Sequence, residues 1–259
     1  MQDQLKITLV QNDTQWRAIA ENLKELSKMI TSLNEKTDLI ILPEMFSTGF
    51  DMEPQLAAET MNGSAIQWMQ KTAKENNTAI AGSLIIEEKG HYYNRFIFVH
   101  TTGAMVHYDK KHLFSLAGED KIYTAGENRL IFEYKGWKIA PFVCYDLRFP
   151  VWSRNTEFYD LAIYTANWPK PRITGWDTLL KARAIENLCY VAGVNRIGID
   201  ANNYEYPGHS QVLDPLGETV GSISENKKET LTVSLSKKHI ENTRQKFQFL
   251  NDRDTFEFS

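Results

Sequence analysis

The chain has 259 residues, 42% hydrophobic and 24% charged, with a formal net charge of -4. That balance favours neither a disordered nor a membrane class, and the isolated pairs Lys110-Lys111, Lys227-Lys228 and Lys237-Lys238 form no basic footprint for nucleic acid. No apolar run approaches membrane-spanning length, and Met1-Gln2-Asp3-Gln4-Leu5-Lys6 lacks a basic-then-apolar signal, so the expectation is a cytoplasmic protein without a membrane partner. Two cysteines, Cys144 and Cys189, are too few for a disulfide scaffold, and the six histidines fall in no ligand spacing, so no metal is expected.

Ile7 to Gln11 reads as a strand. Asn12-Asp13-Thr14 then offers capping residues for a helix carrying Ile19, Leu23, Leu26, Ile30 and Leu33 on one face. The continuous apolar run Leu39 to Leu42 suits a strand covered on both faces, and a loop rich in Gly, Ser and Thr follows Glu44, completing a βαβ start. A helix beginning near Ser64 places Ile66, Met69 and Ala73 on one side. Strands are then predicted at Ala79 to Ile86 and Tyr93 to Val99, joined through Lys89-Gly90. Further strands are predicted at Met105 to Tyr108, Ile131 to Tyr134, Lys138 to Val143, Leu161 to Thr165 and Tyr190 to Val194. Helices are predicted near Val151 to Thr156 and Gly175 to Asn187.

Asp214-Pro215-Leu216-Gly217 marks a turn between strands Ser210 to Leu213 and Thr219 to Ile223, and Leu231 to Leu235 supplies a last strand. No linker, repeat or low-complexity tract interrupts this succession, so 1–259 is expected to be a single domain. The tail 237–259, with Phe247, Phe249, Phe256 and Phe258 among charges, is expected to pack on that domain or on a partner subunit.

The chemistry centres on Cys144, which an apolar strand delivers to the turn Tyr145-Asp146-Leu147-Arg148-Phe149-Pro150. A free thiol with a pKa of about 8.5 is mostly protonated at neutral pH and needs a base. Glu44, ending its own strand after Leu42-Pro43, suits that role, and the cation of Lys110 suits the oxyanion of a tetrahedral adduct. Alone, a strand cysteine is usually core, a strand-end glutamate solvated and a lysine on the surface. Their combination carries the reading. Cys189, between a helix face and a strand, reads as core.

Leu42-Pro43-Glu44, Tyr108-x-Lys110-x-His112-Leu113-Phe114 and Cys144-Tyr145-Asp146-Leu147-Arg148-Phe149-Pro150, in that order, resemble the nitrilase superfamily of carbon-nitrogen hydrolases from about Leu5 to Leu235. The resemblance implies an α/β fold, a four-layer α-β-β-α sandwich, with catalytic Glu44, Lys110 and Cys144 and no cofactor. It selects Lys110 over Lys111 and places a second glutamate, Glu119 rather than the adjacent Asp120, beside the lysine. It also implies an oxyanion hole from Lys110 and the Tyr145 backbone N–H, a positioning role for His112, and a homodimer formed through helices near the nucleophile.

Pro43-Glu44-Met45-Phe46-Ser47-Thr48-Gly49-Phe50, Thr165-Ala166-Asn167-Trp168-Pro169 and Ala182-Arg183-Ala184-Ile185-Glu186-Asn187 narrow the resemblance to the omega-amidase branch. Such enzymes hydrolyse the terminal amide of small carboxylate-bearing monoamides: 2-oxoglutaramate, succinamate or methionine-derived keto amides. An anionic substrate end calls for a cation, for which Arg172 is the candidate, with Phe46 and Trp168 as pocket walls. An N-carbamoyl amino-acid amidohydrolase or an aliphatic nitrilase would keep the same triad. A noncatalytic binding module is the reading from another class, against which the intact Glu44, Lys110 and Cys144 argue.

Overall fold

The computed structural model describes residues 3–257. In chain order its elements are β1 (Gln4–Gln11), α1 (Ile19–Thr31), β2 (Leu39–Ile41), α2 (Ser64–Asn76), β3 (Ala79–Glu88), β4 (His91–Val99), β5 (Met105–Asp109), β6 (Phe132–Tyr134) and β7 (Trp137–Val143). There follow β8 (Leu161–Ala166), α3 (Ile173–Asn187), β9 (Tyr190–Asn195), β10 (Ile197–Ile199), β11 (Glu205–Pro207), β12 (Gln211–Leu213), β13 (Thr219–Ser222), β14 (Glu229–Ser236) and α4 (Lys237–Phe247).

Two six-stranded sheets are ordered β14-β1-β2-β3-β4-β5 and β13-β12-β9-β8-β7-β6, and β10 pairs with β11 in a separate hairpin. In the first sheet β1, β2 and β3 run parallel; in the second β7, β8 and β9 do. Side-chain alternation divides the first sheet between two cores. Leu5, Ile7, Leu9, Leu39, Ile41, Ala79 and Ala81 face the second sheet, whereas Ile40 and Ile80 face α1 and α2 with Leu26, Ile30, Ile66 and Met69. On the far side α3 lays Trp176 and Leu180 on the second sheet. A Cβ at Gly193 would come within 2.4 Å of Leu180, so glycine lets this helix approach β9 closely. The resulting order is the expected α-β-β-α sandwich.

Two local expectations fail. Asn12-Asp13-Thr14 does not cap α1: the helix starts at Ile19 after Ala18, without a side-chain cap, while Asp13 bridges to Ile197 and pairs with Arg196. Val151 to Thr156 is a series of turns rather than a helix. There Asn155 accepts the Tyr159 amide and donates to the Tyr159 and Asn187 carbonyls, side-chain bonds that replace a helical ladder. The hairpin β10–β11 was not predicted, although Asp200-Ala201-Asn202-Asn203 is a turn-forming run.

In the tail, α4 caps itself with Ser236, buries Ile240 and directs Arg244 to the Leu188 and Tyr159 carbonyls. Phe249 is half exposed, and Phe258 lies outside the described residues.

Candidate active site

The chemistry-bearing side chains stand where strands end. Glu44 lies just beyond β2, Lys110 follows β5, Cys144 follows β7 and Asn167 follows β8. The parallel strands β2, β7 and β8 all release their chains at their carboxyl ends, where open α/β sheets leave a crevice. Cys144 (φ +44°) and Met45 (φ +45°) both adopt the left-handed region. For residues with a Cβ this costs about 1–3 kcal/mol, a strain found at sites whose surroundings enforce it. Cys144 opens a short 3-10 helix, Cys144–Arg148, and the Tyr145 amide sits in its first turn, where amides lack an intrahelical acceptor.

Lys110 is 1% exposed and meets two fully buried carboxylates. Its Nζ donates to Glu119 Oε2 at 2.8 Å, Glu119 Oε1 at 3.0 Å and Glu44 Oε1 at 3.2 Å. Burial disfavours its charge, but Glu119, Glu44 and Cys144 outweigh that and raise its pKa above the ordinary lysine value, so it is a fixed cation. Burial raises the Glu119 pKa, opposed by Lys110 and assisted by Glu44.

Glu44 is also gripped by the Asn94 side chain (2.7 Å), by the Asn167 backbone N–H (2.7 Å) and, at its carbonyl, by Asn167 Nδ2 (2.9 Å). Cys144 Sγ lies 4.0 Å from the Asn167 carbonyl oxygen. Burial raises the thiol pKa well above its usual value; Glu44 pushes it further, by charge and by hydrogen bond, and Lys110 pulls it back.

Glu44, Lys110, Cys144 and Asn167 reach the floor of an open cavity walled by Phe50, Phe114, Tyr145 and Trp168, with Arg148 and Arg172 on its lining. The Arg148 guanidinium lies over Trp168 (4.9 Å) and that of Arg172 over Phe114 (5.0 Å). Among the described residues neither arginine has a carboxylate partner. No cluster of residues suited to hold a metal occurs among the described residues.

The carbon-nitrogen hydrolase family profile matches residues 6–245. The chain belongs to the carbon-nitrogen hydrolase family. This carbon-nitrogen hydrolase is 43% identical over 252 residues to omega-amidase YafV of Escherichia coli strain K12, covering 97% of this chain and 98% of that protein. It is 36% identical over 220 residues to 2-oxoglutaramate amidase of Bacillus subtilis strain 168, covering 83% and 84% of the two chains. Among solved structures, XC1258 of Xanthomonas campestris, a CN-hydrolase superfamily protein with an arsenic adduct in its active site, matches with a TM-score of 0.97 at 40% identity over 100% of both chains.

The structure brings Glu44, Lys110, Cys144, Tyr145, Trp168 and Arg172 of this carbon-nitrogen hydrolase to one cavity, with Glu119 buried behind it on Lys110. Asp120 is exposed, and Lys111 turns away over Trp152. Phe46 requires correction: it does not line the cavity but is buried behind it, packed on Trp68 and against Gly82, and Phe50 provides the wall instead. The Gly-Ser-Thr loop turns between these two aromatics, so spacing alone could not rank them. His112 also lies off the cavity. It stacks on Phe149 and presents both its backbone N–H and Nδ1 to Asp146, at 3.0 and 2.8 Å. Asn94 and the cavity-lining residues Asp200, Asn202, Tyr204 and Tyr206 on and before the strand β11 were not foreseen.

Proposed function

We propose that this hydrolase cleaves the terminal amide of small carboxylate-bearing monoamides, 2-oxoglutaramate, succinamate or methionine-derived keto amides, to acid and ammonia through a thioester on Cys144. The observation that carries the reading is a buried Glu44–Lys110–Glu119 cluster beside a thiol, in a cavity also lined by two arginines without acidic partners. The names of the relatives at 43% and 36% identity, an omega-amidase and a 2-oxoglutaramate amidase, support the substrate class.

Glu44 takes the thiol proton as Sγ attacks the amide carbon. The oxyanion that forms meets the Lys110 ammonium and the Tyr145 N–H, and Glu119 holds the lysine in place. Glu44 returns the proton to the nitrogen, the C–N bond breaks, ammonia leaves and the thioester remains. Glu44 then deprotonates a water that attacks the thioester, releasing the acid and restoring the thiol. Arg172 pairs with the remote carboxylate.

The protein is proposed to act in the cytoplasm as a homodimer, without a nucleic-acid partner. No helix among the described residues is long and apolar enough to cross a membrane. Val151 and Ile185, 55% and 42% exposed, lie in the segment after the nucleophile and on α3, and are suited to a subunit contact. Sedimentation should give twice the chain mass.

The decisive assay is ammonia release from succinamate and 2-oxoglutaramate against the neutral butyramide. Wild type should prefer the carboxylates, Arg172→Met should lose about ten- to a hundred-fold of that preference, and Cys144→Ala should be inactive. A wild type that favours nitriles or N-carbamoyl amino acids rejects the omega-amidase reading.

A further inference from the structure

Asn94 lies on β4 opposite Ile85 of β3, a carboxamide buried in the strand at 1% exposed. Its backbone carbonyl accepts the Lys110 amide at 3.0 Å, fixing where the lysine leaves β5. Its one side-chain nitrogen donates to Glu44 Oε1 at 2.7 Å and towards Glu119 Oε1 at 3.3 Å. The other end, Oδ1, is buried without a hydrogen-bond partner. Turning the amide over would set that oxygen against two carboxylates, so the observed orientation is the electrostatically allowed one. The fold tolerates an orphaned acceptor, which costs stability, in order to aim both N–H bonds at the acids.

We propose that Asn94 is a positioning residue of the reaction, its amide nitrogen clasping Glu44 and Glu119 around one lysine and holding Glu44 where it receives the thiol proton. This rests on the reading of Glu44 as the base. Two carboxylates on one ammonium repel each other, and a donor shared between them favours their charged forms. The other titratable groups facing them are Lys110, Cys144, Tyr123 and, across the cavity, Tyr206. Neither tyrosine donates to Glu44 or Glu119: Tyr123 donates to the Asp51 carbonyl and Tyr206 to Asp200. Asn94 is therefore the neutral side-chain donor to both acids.

The test is Asn94→Leu, similar in size but without a donor, with Asn94→Met as the more flexible filler should the branched side chain prevent folding. For whichever amide the wild type turns over, the acid limb of kcat/KM should move up by about one pH unit. The kcat at neutral pH should fall at least about tenfold, with KM nearly unchanged. Independently of any substrate, iodoacetamide alkylation of Cys144, followed by mass spectrometry, should titrate at higher pH, because the positive end of a dipole has been removed. If the wild type hydrolyses no amide, the proposed activity fails while alkylation still tests Asn94. Superimposable pH profiles in variant and wild type, with only a lower Tm, would reduce Asn94 to packing and overturn the proposal.

Discussion

A proton passing from Cys144 to Glu44 stays inside a cluster that also holds Lys110 and Glu119, so its transfer leaves the net charge of the buried site unchanged. This reconciles a nucleophilic role with a thiol whose pKa is raised by burial and by Glu44. In the proposed mechanism the thiolate does not wait preformed; it appears as the carbonyl is attacked. Replacing Glu44 by Gln removes a negative charge that raises the thiol pKa. Cys144 should consequently alkylate at lower pH than in wild type, while turnover falls by about 10² or more for want of a base. The two opposite movements are the signature, read from an iodoacetamide pH profile and a steady-state assay. An unchanged alkylation profile would uncouple the pair. Glu44, Lys110 and Cys144 were legible in sequence because each closes a strand beside its own motif. Asn94 was not, since a polar residue inside a strand looks like ordinary alternation until the chain is folded.

At the scale of elements, the site depends on the register between the loop after β5 and the 3-10 turn after β7, and Asp146 is the clamp. Its Oδ2 accepts the Val143 amide at 3.0 Å and the Tyr108 hydroxyl at 2.8 Å, and its Oδ1 takes both donors of His112. Tyr108 in turn accepts from Trp152 Nε1 and the Lys111 amide. Behind Lys110, Gly126 donates to the Lys110 carbonyl, and a Cβ there would lie 2.0 Å from the Asp109 carbonyl oxygen, so only glycine fits. Asp146→Asn turns an amide nitrogen towards donors and should cost about 2 to 4 kcal/mol, the loss of hydrogen bonds to a buried charge. Urea denaturation measures that loss. Because Lys110 and Cys144 lose their shared reference, kcat should also drop under conditions where the variant remains folded; a destabilised variant with wild-type kcat would show that the clamp serves stability alone. Periodicity revealed the strands this clamp joins, but misread Val151 to Thr156 as helix, because the competing side-chain bonds of Asn155 reach Tyr159 and Asn187, beyond the predicted segment.

Across the whole molecule the groups proposed to act in catalysis come from different sheets, Glu44 and Lys110 from the first and Cys144 from the second, where Asn167 also holds Glu44. Function therefore requires that the sheets not shift against each other. The shared core of Leu5, Ile7 and Leu9 with Ile139, Leu161 and Ile163 supplies the apolar contact, and the chain end adds a staple. Residues of β14 pair with β1 along its full length, and α4 then crosses to the second sheet. There Arg244 donates to the Leu188 carbonyl at 2.9 Å, the Tyr159 carbonyl at 2.5 Å and Asp160 Oδ1 at 3.3 Å, and Lys237 pairs with Asp160 Oδ2. Asp160 is only 2% exposed and also accepts the Lys138 amide, so losing Arg244 leaves a buried carboxylate short of a partner. Arg244→Met should accordingly destabilise the fold by about 2 kcal/mol. By contrast, breaking the exposed Lys71–Glu75 pair, 3.9 Å apart, should have almost no effect. Because α4 lies outside the cavity lining, the folded Arg244→Met enzyme should keep wild-type kcat and KM at low temperature and lose activity only as it unfolds. Urea titrations of the two variants, paired with ammonia-release assays well below the transition, measure both halves; equal stability of the two would show that the tail rests on the second sheet without holding it.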